Sequence, residues 1–415
     1  MSLESEKLVL KNDHKISFFV AFYFIASAAN ATMKVTLPIS ESIYSFVSLF
    51  WGVLILFFML NALSPVLRRS SALFRKSYII FAILYIISMA MWMIRGEPVV
   101  DLFRATGFLT FAWWIPVGVY SASVINKDVL YKVLLKASYI ISIILFLNLL
   151  FHTSDTVDGA VEYDMFFGFA MITPTLFHIN ELFKHRKLGL AIIVVVEILA
   201  LVLYANRSIL LSLAFFLIYK FFFSKRTKAS SVYKILFVVL CVLFVVFNNS
   251  IVSGLAGLFS QYGLQSRTLD MALDNNLSDS SGRLEFWTIC FQMIGEKPIF
   301  GWGLGGEFVT LGQRLHSIFG GELAMASAHN GVLQLIVELG ILGGLYATYL
   351  FVKPIFGVKR ISDPFVRDLI LIYFASYGIT RLISADGFYY SPQVAVYFYL
   401  FYASKKLNQS KIVNK

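Results

Sequence analysis

The chain has 415 residues, of which 58% are hydrophobic and only 14% are charged, and its mean hydropathy is +0.76. Soluble domains average about 25% charged residues, so this composition excludes a soluble globular protein and indicates a polytopic membrane protein. The net charge of +11 does not indicate nucleic-acid binding, because the basic residues lie in short segments between apolar runs, where they set membrane topology.

Apolar runs of about 20 residues, the length that crosses a hydrocarbon core, recur along the chain. The first of them follows a lysine-containing tail and is predicted to be retained as a span, since it lacks the pattern of a cleaved signal peptide. The predicted fold is therefore all-α, with about twelve transmembrane helices. These lie near residues 16–33, 42–63, 78–94, 103–122, 137–151, 165–182, 188–205, 207–223, 234–250, 331–352, 367–384 and 392–404.

Most of the 35 Lys and Arg residues fall on one side of these predicted spans. Loops on the cytoplasmic side are enriched in Lys and Arg, so this distribution predicts that both termini are cytoplasmic. The even number of spans agrees with that orientation. The basic segments are the N-terminal tail, 68–76, 126–136, 184–187, 220–228, 353–360 and the C-terminal tail.

One predicted outer segment is much longer than the others and divides the chain into three parts. Spans one to nine occupy residues 1–248, the long outer loop occupies 249–330, and spans ten to twelve occupy 331–415. A long loop in a compact protein is usually functional, so we place the functional residues there.

Three arginines lie on the outer side, against the general distribution of charge. Arg207 begins predicted span eight, Arg283 opens the amphipathic part of the long loop, and Arg381 ends predicted span eleven. Arginine at membrane depth is kept mainly where it pairs or lines a polar cavity, and its planar fork suits phosphate oxygens. The three are therefore candidates for binding a lipid-linked diphosphate. For each one alone, the alternative is snorkelling to the headgroups or pairing with an acid such as Asp386.

The long loop contains a predicted amphipathic helix followed by a glycine-rich elbow. The sequence GWGLGG at 301–306 permits tight turns, but it lacks the lysine of a phosphate-binding loop and no strand precedes it. The helix carries an apolar stripe that is expected to dock on the bundle or lie in the membrane interface. The stripe consists of Leu284, Trp287, Phe291 and Ile294.

His329 and Asn330 stand at the outer start of predicted span ten. Histidine can act as a general base near neutral pH, although a helix-end histidine that hydrogen-bonds locally is the alternative. Asn330 is either a helix cap or a partner that orients the histidine. Glu338, two turns further on, and Glu197 in span seven are acids at membrane depth, which serve as functional or structural polar partners.

No metal site or cofactor is predicted. His, Cys and carboxylate residues nowhere have the spacing of metal ligands, and Cys241 and Cys290 give neither a metal site nor a disulfide framework. The acids at 274–281 could bind a cation, but such a composition is more typical of a solvated loop.

Three pieces of the long loop and span ten together resemble the signature of the bacterial O-antigen ligase/polymerase family. They read SGRLEFW at 281–287, IGEKPIFGWGLG at 294–305 and AHNGVLQLIVELGILGG at 328–344. The last piece, with His-Asn followed after nine residues by Gly-Ile-Leu-Gly, fits the family's most specific pattern. The predicted spans and the long outer loop agree with the family's topology.

The resemblance implies an inverting, metal-independent, GT-C-like glycosyltransferase of the bacterial inner membrane, without a cofactor and active at the periplasmic face. Its donor would be a glycan on undecaprenyl diphosphate. The implied base that deprotonates the acceptor hydroxyl is His329, supported by Asn330 and Glu338. The arginines implied to bind the donor's diphosphate are Arg207, Arg283 and Arg381.

Two reactions of the family fit, and they differ only in the acceptor. A polymerase of O-antigen or capsule transfers the chain to another lipid-linked repeat unit, and a chain-length regulator is then an expected partner. A ligase transfers the finished glycan to lipid A–core, and a protein-glycosylating ligase is a lesser alternative. The Gly-Arg-x-x-x-Trp run and the Asn-Arg-Ser context of Arg207 favour the polymerase. A polysaccharide transporter is the alternative from another class, but transporter sites lie near the midplane rather than at the outer face.

Overall fold

A computed structural model describes residues 3–36, 40–151, 165–204, 207–223, 283–320, 326–384 and 387–413, with a few isolated positions between 253 and 261. All regular structure in these ranges is helical, so the predicted all-α class is confirmed. The helices are α1 (Leu3–Thr36), α2 (Glu41–Ile94), α3 (Val99–Leu102), α4 (Ile115–Ser123), α5 (Lys127–Phe151), α6 (Met165–His185), α7 (Leu188–Tyr204), α8 (Arg207–Phe223), α9 (Arg283–Glu296), α10 (Gly306–Phe319), α11 (Gly331–Gly357), α12 (Pro364–Tyr373), α13 (Ile379–Ile383) and α14 (Pro392–Val413). Three π-helical segments (Phe103–Gly107, Thr110–Trp114 and Phe374–Gly378) and a 3-10 turn (Val358–Arg360) join some of them.

Five helical stretches within these ranges are long and apolar enough to cross a membrane. The molecule is therefore a polytopic membrane protein, as predicted. The total of about twelve spans and the GT-C-like arrangement stay predictions, and predicted span nine lies outside the described residues. The five stretches are Glu4–Met33, Glu41–Ile94, Val99–Ser123, Lys127–Leu149 and Gly331–Arg360.

Helix α2 combines two predicted spans in one long helix. Its backbone leaves helical geometry at Ser70, within the basic segment predicted to join spans two and three. Only 6% of its most apolar window is buried within the protein. Because apolar side chains cover this exposed surface, that part of α2 is suited to contact lipid.

The chain forms two compact units. The first unit, called the motif unit here, contains Met1–Tyr23, Gly52–Leu134 and Ser280–Lys415. In it, α14 packs against α4 and α12, and α9 packs against α11. The core of this unit includes the fully buried side chains of Trp114, Tyr120 and Tyr397.

The second unit contains Phe24–Trp51 and Leu135–Asp279, and in it α6 packs mainly against α7. A polar network lies inside this unit around Glu197. The Glu197 carboxylate lies 2.8 Å from Nδ1 of His178 and accepts a 2.6 Å hydrogen bond from Ser142, and all three side chains are buried. Tyr139 stacks on the His178 ring at 4.2 Å. Glu197 is therefore a polar partner inside the helix bundle.

Candidate functional site

Helix α9 packs its inner face into the core of the motif unit. Ile289, Cys290 and Met293 are buried there with Trp302 and Leu333. The predicted apolar stripe is only partly correct. Trp287 and Ile294 pack against this core, whereas Leu284 and Phe291 are exposed. Side chains spaced three residues apart and side chains spaced four residues apart both lie on one helical face. The sequence is therefore compatible with two overlapping apolar faces and does not show which of them is buried.

The elbow between α9 and α10 makes tight turns, as predicted for GWGLGG. Gly301, Gly303 and Gly305 all have positive φ, which residues with a side chain rarely adopt. A Cβ at Gly301 would also collide with the carbonyl oxygen of Glu338. The elbow is fixed to α2 as well, because the Leu304 amide donates a 2.8 Å hydrogen bond to Ser88 Oγ.

Helix α11 is broken at Gly340, where φ is +74° and ψ is 173°. The break frees two carbonyl oxygens that an intact helix would use internally. The Trp302 amide donates to Val337 O and the Gly303 amide to Glu338 O, each at 2.9 Å. Predicted span ten is thus two helical segments, and the elbow is hydrogen-bonded into the gap between them.

The Glu338 carboxylate is a buried centre that joins three parts of the site. Oε1 accepts hydrogen bonds from the Gly305 amide at 2.8 Å and from Gln334 Nε2 at 3.1 Å. The Tyr389 hydroxyl, from the loop before α14, donates to both carboxylate oxygens at 2.9 and 2.8 Å. Burial raises the pKa of Tyr389 well above its usual value, so this hydroxyl stays a donor. Glu338 therefore holds α11, the elbow and the α13–α14 loop together.

His329 lies two residues before the first residue of α11, in left-handed backbone geometry with φ of 50°. Its amide donates to Ser327 Oγ at 3.1 Å, while no described residue hydrogen-bonds to the partly buried imidazole ring. Asn330 is the N-cap of α11, since its side-chain oxygen accepts from the amides of Val332 and Leu333 at 3.1 and 3.0 Å. Of the two roles considered for Asn330, a helix cap or a partner that orients the histidine, the structure therefore shows the helix cap.

The chain segments that carry Arg381 and Arg283 both contact the region around the start of α11. The carbonyl oxygen of Arg381 packs so closely on Gly331 that a Cβ there would collide with it. Arg283 begins α9, and one turn later Trp287 donates a 2.9 Å hydrogen bond to the Ala328 carbonyl. The backbone of Arg381 and helix α9, which begins at Arg283, thus contact residues on either side of His329.

Arg207 begins α8 in the second unit, and its side chain lies outside the described residues. Asp386, the acid considered as an alternative partner for an arginine, also lies outside them.

A cationic cluster that sequence reasoning missed surrounds the Trp302 ring. Lys297 Nζ lies 3.8 Å from the ring centroid, and the guanidinium carbons of Arg95 and Arg314 lie at 5.1 and 5.4 Å. Nη2 of Arg95 also donates a 2.7 Å hydrogen bond to the Trp302 carbonyl. Burial and the nearby Arg95 charge lower the pKa of Lys297, and the hydrogen bond from Arg314 lowers the pKa of Glu296.

The sequence analysis also did not identify other residues of the site, because their contacts join distant parts of the chain. The buried Glu307 accepts a 2.6 Å hydrogen bond from the Ala328 amide and so holds the segment before His329. Gln334 accepts a 2.7 Å hydrogen bond from the Gly387 amide. The sequence signal that could have identified Gln334 is its spacing from Glu338, because residues four apart lie on the same face of a helix.

Chemically, the start of α11 offers a helix N-terminus beside a partly buried imidazole that has no described hydrogen-bond partner. A helix N-terminus and guanidinium groups both favour bound anions. In the described part of the chain, no three His, Cys, Asp or Glu side chains lie together as metal ligands would.

Residues 190–348 match the protein family described as O-antigen ligase. The match confirms the resemblance found in the sequence, and it contains Arg207, Arg283 and His329, while Arg381 lies beyond its end. No curated protein matches the chain.

Proposed function

We propose that this protein is a membrane glycosyltransferase that polymerises a surface polysaccharide, because residues 190–348 match the family described as O-antigen ligase. The donor is a glycan on undecaprenyl diphosphate, and the acceptor is a sugar hydroxyl of another lipid-linked repeat unit. The reaction takes place at the periplasmic face of the inner membrane, in a protein whose two termini are cytoplasmic.

The observation that carries this proposal is the position of His329. Its imidazole has no described hydrogen-bond partner, and it stands at the α11 N-terminus, close to the elements that carry Arg381 and Arg283. This position supports the proposal, because a group transfer from a diphosphate needs a base next to a region that binds the leaving anion.

In the proposed reaction, His329 takes the proton from the acceptor hydroxyl while its oxygen attacks the anomeric carbon of the donor. The bond between that carbon and the diphosphate oxygen breaks with inversion, and the lipid diphosphate leaves carrying the bonding electron pair. Arg283, Arg381 and Arg207 stabilise the developing charge on the leaving group. Asn330 and Glu338 act through position, by capping α11 and by fixing the elbow to it.

The test uses the purified full-length protein and its cell's lipid-linked repeat unit, without a second acceptor or added metal. We expect wild type to produce a ladder of longer glycans that remain on lipid. His329→Ala should abolish the ladder, while His316→Ala, an exposed histidine on α10, should retain it.

Other outcomes would identify the alternatives. Transfer that occurs only when lipid A–core is supplied would establish a ligase instead of a polymerase. A folded wild-type protein that transfers glycan to neither acceptor would contradict the glycosyltransferase proposal and favour a transporter, in which His329→Ala changes flux.

A further inference from the structure

We propose that the cationic cluster around Trp302 binds the diphosphate of the second lipid-linked substrate, the acceptor. This inference rests on the proposed function, because polymerisation joins two diphosphate-bearing lipids while the three predicted arginines serve only the donor. The cluster consists of Arg95, Lys297 and Arg314.

The cluster carries a positive charge that its own carboxylates do not neutralise. Arg95 pairs with Glu97 at 2.8 Å, and Arg314 pairs with Glu296 at 2.6 Å. Glu97 and Glu296 act on Lys297 electrostatically, but neither forms an ion pair with it among the described residues. Nη1 of Arg95 is buried without a described hydrogen-bond acceptor. An anion with several oxygens would supply both missing interactions.

An apolar surface adjoins these charges and indicates a lipid rather than a free anion. Ile299 and Phe300 follow Lys297 after one intervening proline, and they are 71% and 79% exposed. They meet the second segment of α11, where the Ile341 amide donates a 2.8 Å hydrogen bond to Pro298 O and Leu342 is 82% exposed. A polyprenyl chain can pack on this surface while its diphosphate contacts Lys297.

The position of the cluster relative to His329 suits an acceptor. The elbow is bonded to the C-terminal end of the first α11 segment, whereas His329 precedes its N-terminal end. The nine residues from 331 to 339 span about 13 Å. This separation leaves room for saccharide between the acceptor's diphosphate and the hydroxyl from which His329 takes the proton.

Two other ligands fit the surface less well. A sugar needs an open aromatic face for stacking, but the Trp302 side chain is largely buried and its ring is flanked by the three cations. A phospholipid headgroup shares the phosphate chemistry but carries one phosphate rather than two, so it can occupy fewer of the donors.

The test counts bound lipid. Full-length protein in phosphatidylcholine nanodiscs is titrated with radiolabelled undecaprenyl diphosphate that carries no glycan. We expect two bound equivalents in wild type and one in Lys297→Gln, a change that breaks no ion pair within the described residues. Lys297→Arg should restore the second equivalent. Lys353→Gln is the matched control, because this ammonium also lies over an aromatic ring, that of Tyr349 at 4.5 Å, and two equivalents should remain.

Three results would overturn the inference. The first is one equivalent in wild type, and the second is a stoichiometry that Lys297→Gln leaves unchanged. The third is displacement of one equivalent by phosphatidylglycerol at equal concentration, which would assign the cluster to membrane phospholipid. Failure of the proposed function is distinguishable, since wild type would then transfer no glycan, whereas failure of this inference alone leaves transfer intact.

Discussion

The backbone at His329 separates this residue from the helix that follows it. A positive φ is uncommon for residues with a side chain, although histidine tolerates it better than bulky or branched residues. The left-handed turn ends the chain segment held by Glu307, and Asn330 then starts α11. The imidazole is thus placed by polar contacts of its neighbours, and no described residue hydrogen-bonds to its ring.

We predict that Asn330→Ala lowers the free energy of unfolding by about 1 kcal/mol, because the amides of Val332 and Leu333 lose their acceptor. Thermal unfolding in detergent measures the effect. Asn330→Ser keeps a capping oxygen and should restore most of the loss. Equal stability of the alanine and serine variants would contradict the capping role.

The hydrogen bonds of Glu338 lead to a second prediction, which concerns Tyr389. Tyr389→Phe should destabilise the protein by about 2 kcal/mol, because a buried carboxylate loses its hydroxyl donor. Tyr349→Phe is the control, since that side chain is half exposed on the second segment of α11. A melting temperature of Tyr389→Phe equal to that of the control would show that the hydroxyl is dispensable.

Among the elements, α11 shows how one glycine shapes the site. In an unbroken helix, the carbonyls of Val337 and Glu338 would accept hydrogen bonds within the helix, so they would not be available as acceptors for the elbow amides. The reversal at Gly340 also lets Gly344 pack directly on Ile336 of the first segment. The close packing at Gly344 therefore occurs within α11 itself.

We expect Gly340→Ala to cost about 3 kcal/mol or more, since alanine cannot adopt this backbone geometry cheaply and its Cβ would strike the Ile299 carbonyl. Gly343→Ala is the matched control in the same Gly-Ile-Leu-Gly run, because its Cβ would meet only the side chain of Leu339 at 3.2 Å. Expression and thermal unfolding of both variants provide the comparison. Equal loss in the two variants would exclude a special role for the break.

For the whole molecule, we expect the second segment of α11 to set which side of the membrane each neighbouring loop faces. From Ile341 to Gly357 it has the length of a short span, about 25 Å. The elbow adjoins its start and the 3-10 turn Val358–Arg360 follows its end. The two flanking loops are therefore expected on opposite sides of the membrane.

Cysteine labelling in intact cells checks this arrangement. In a Cys241→Ser, Cys290→Ala background, Ile299→Cys should react with a maleimide that cannot cross the inner membrane, because position 299 is exposed and predicted to face outward. Ser362→Cys, which is also exposed, should react only after the membrane is permeabilised. Reaction of both positions in intact cells would contradict the predicted topology.

The sequence by itself determined the helical membrane class, and it indicated the family resemblance and the stretch that contains the candidate site. These conclusions need only local information, namely apolar runs of span length, the charge of the loops and the spacing of His329, Asn330 and the glycines. It also identified Glu338 as a polar residue in a predicted span.

Only the tertiary structure decided how these residues contact one another. That Gly340 ends a helical segment, that Glu338 joins Gly305 to Tyr389, and that Lys297 lies beside Arg95 all depend on contacts between distant parts of the chain. A periodic pattern shows which residues share a face, but not which element covers that face or which hydrogen-bond donor reaches a buried acceptor. Those choices follow from packing the whole motif unit while satisfying its buried polar groups.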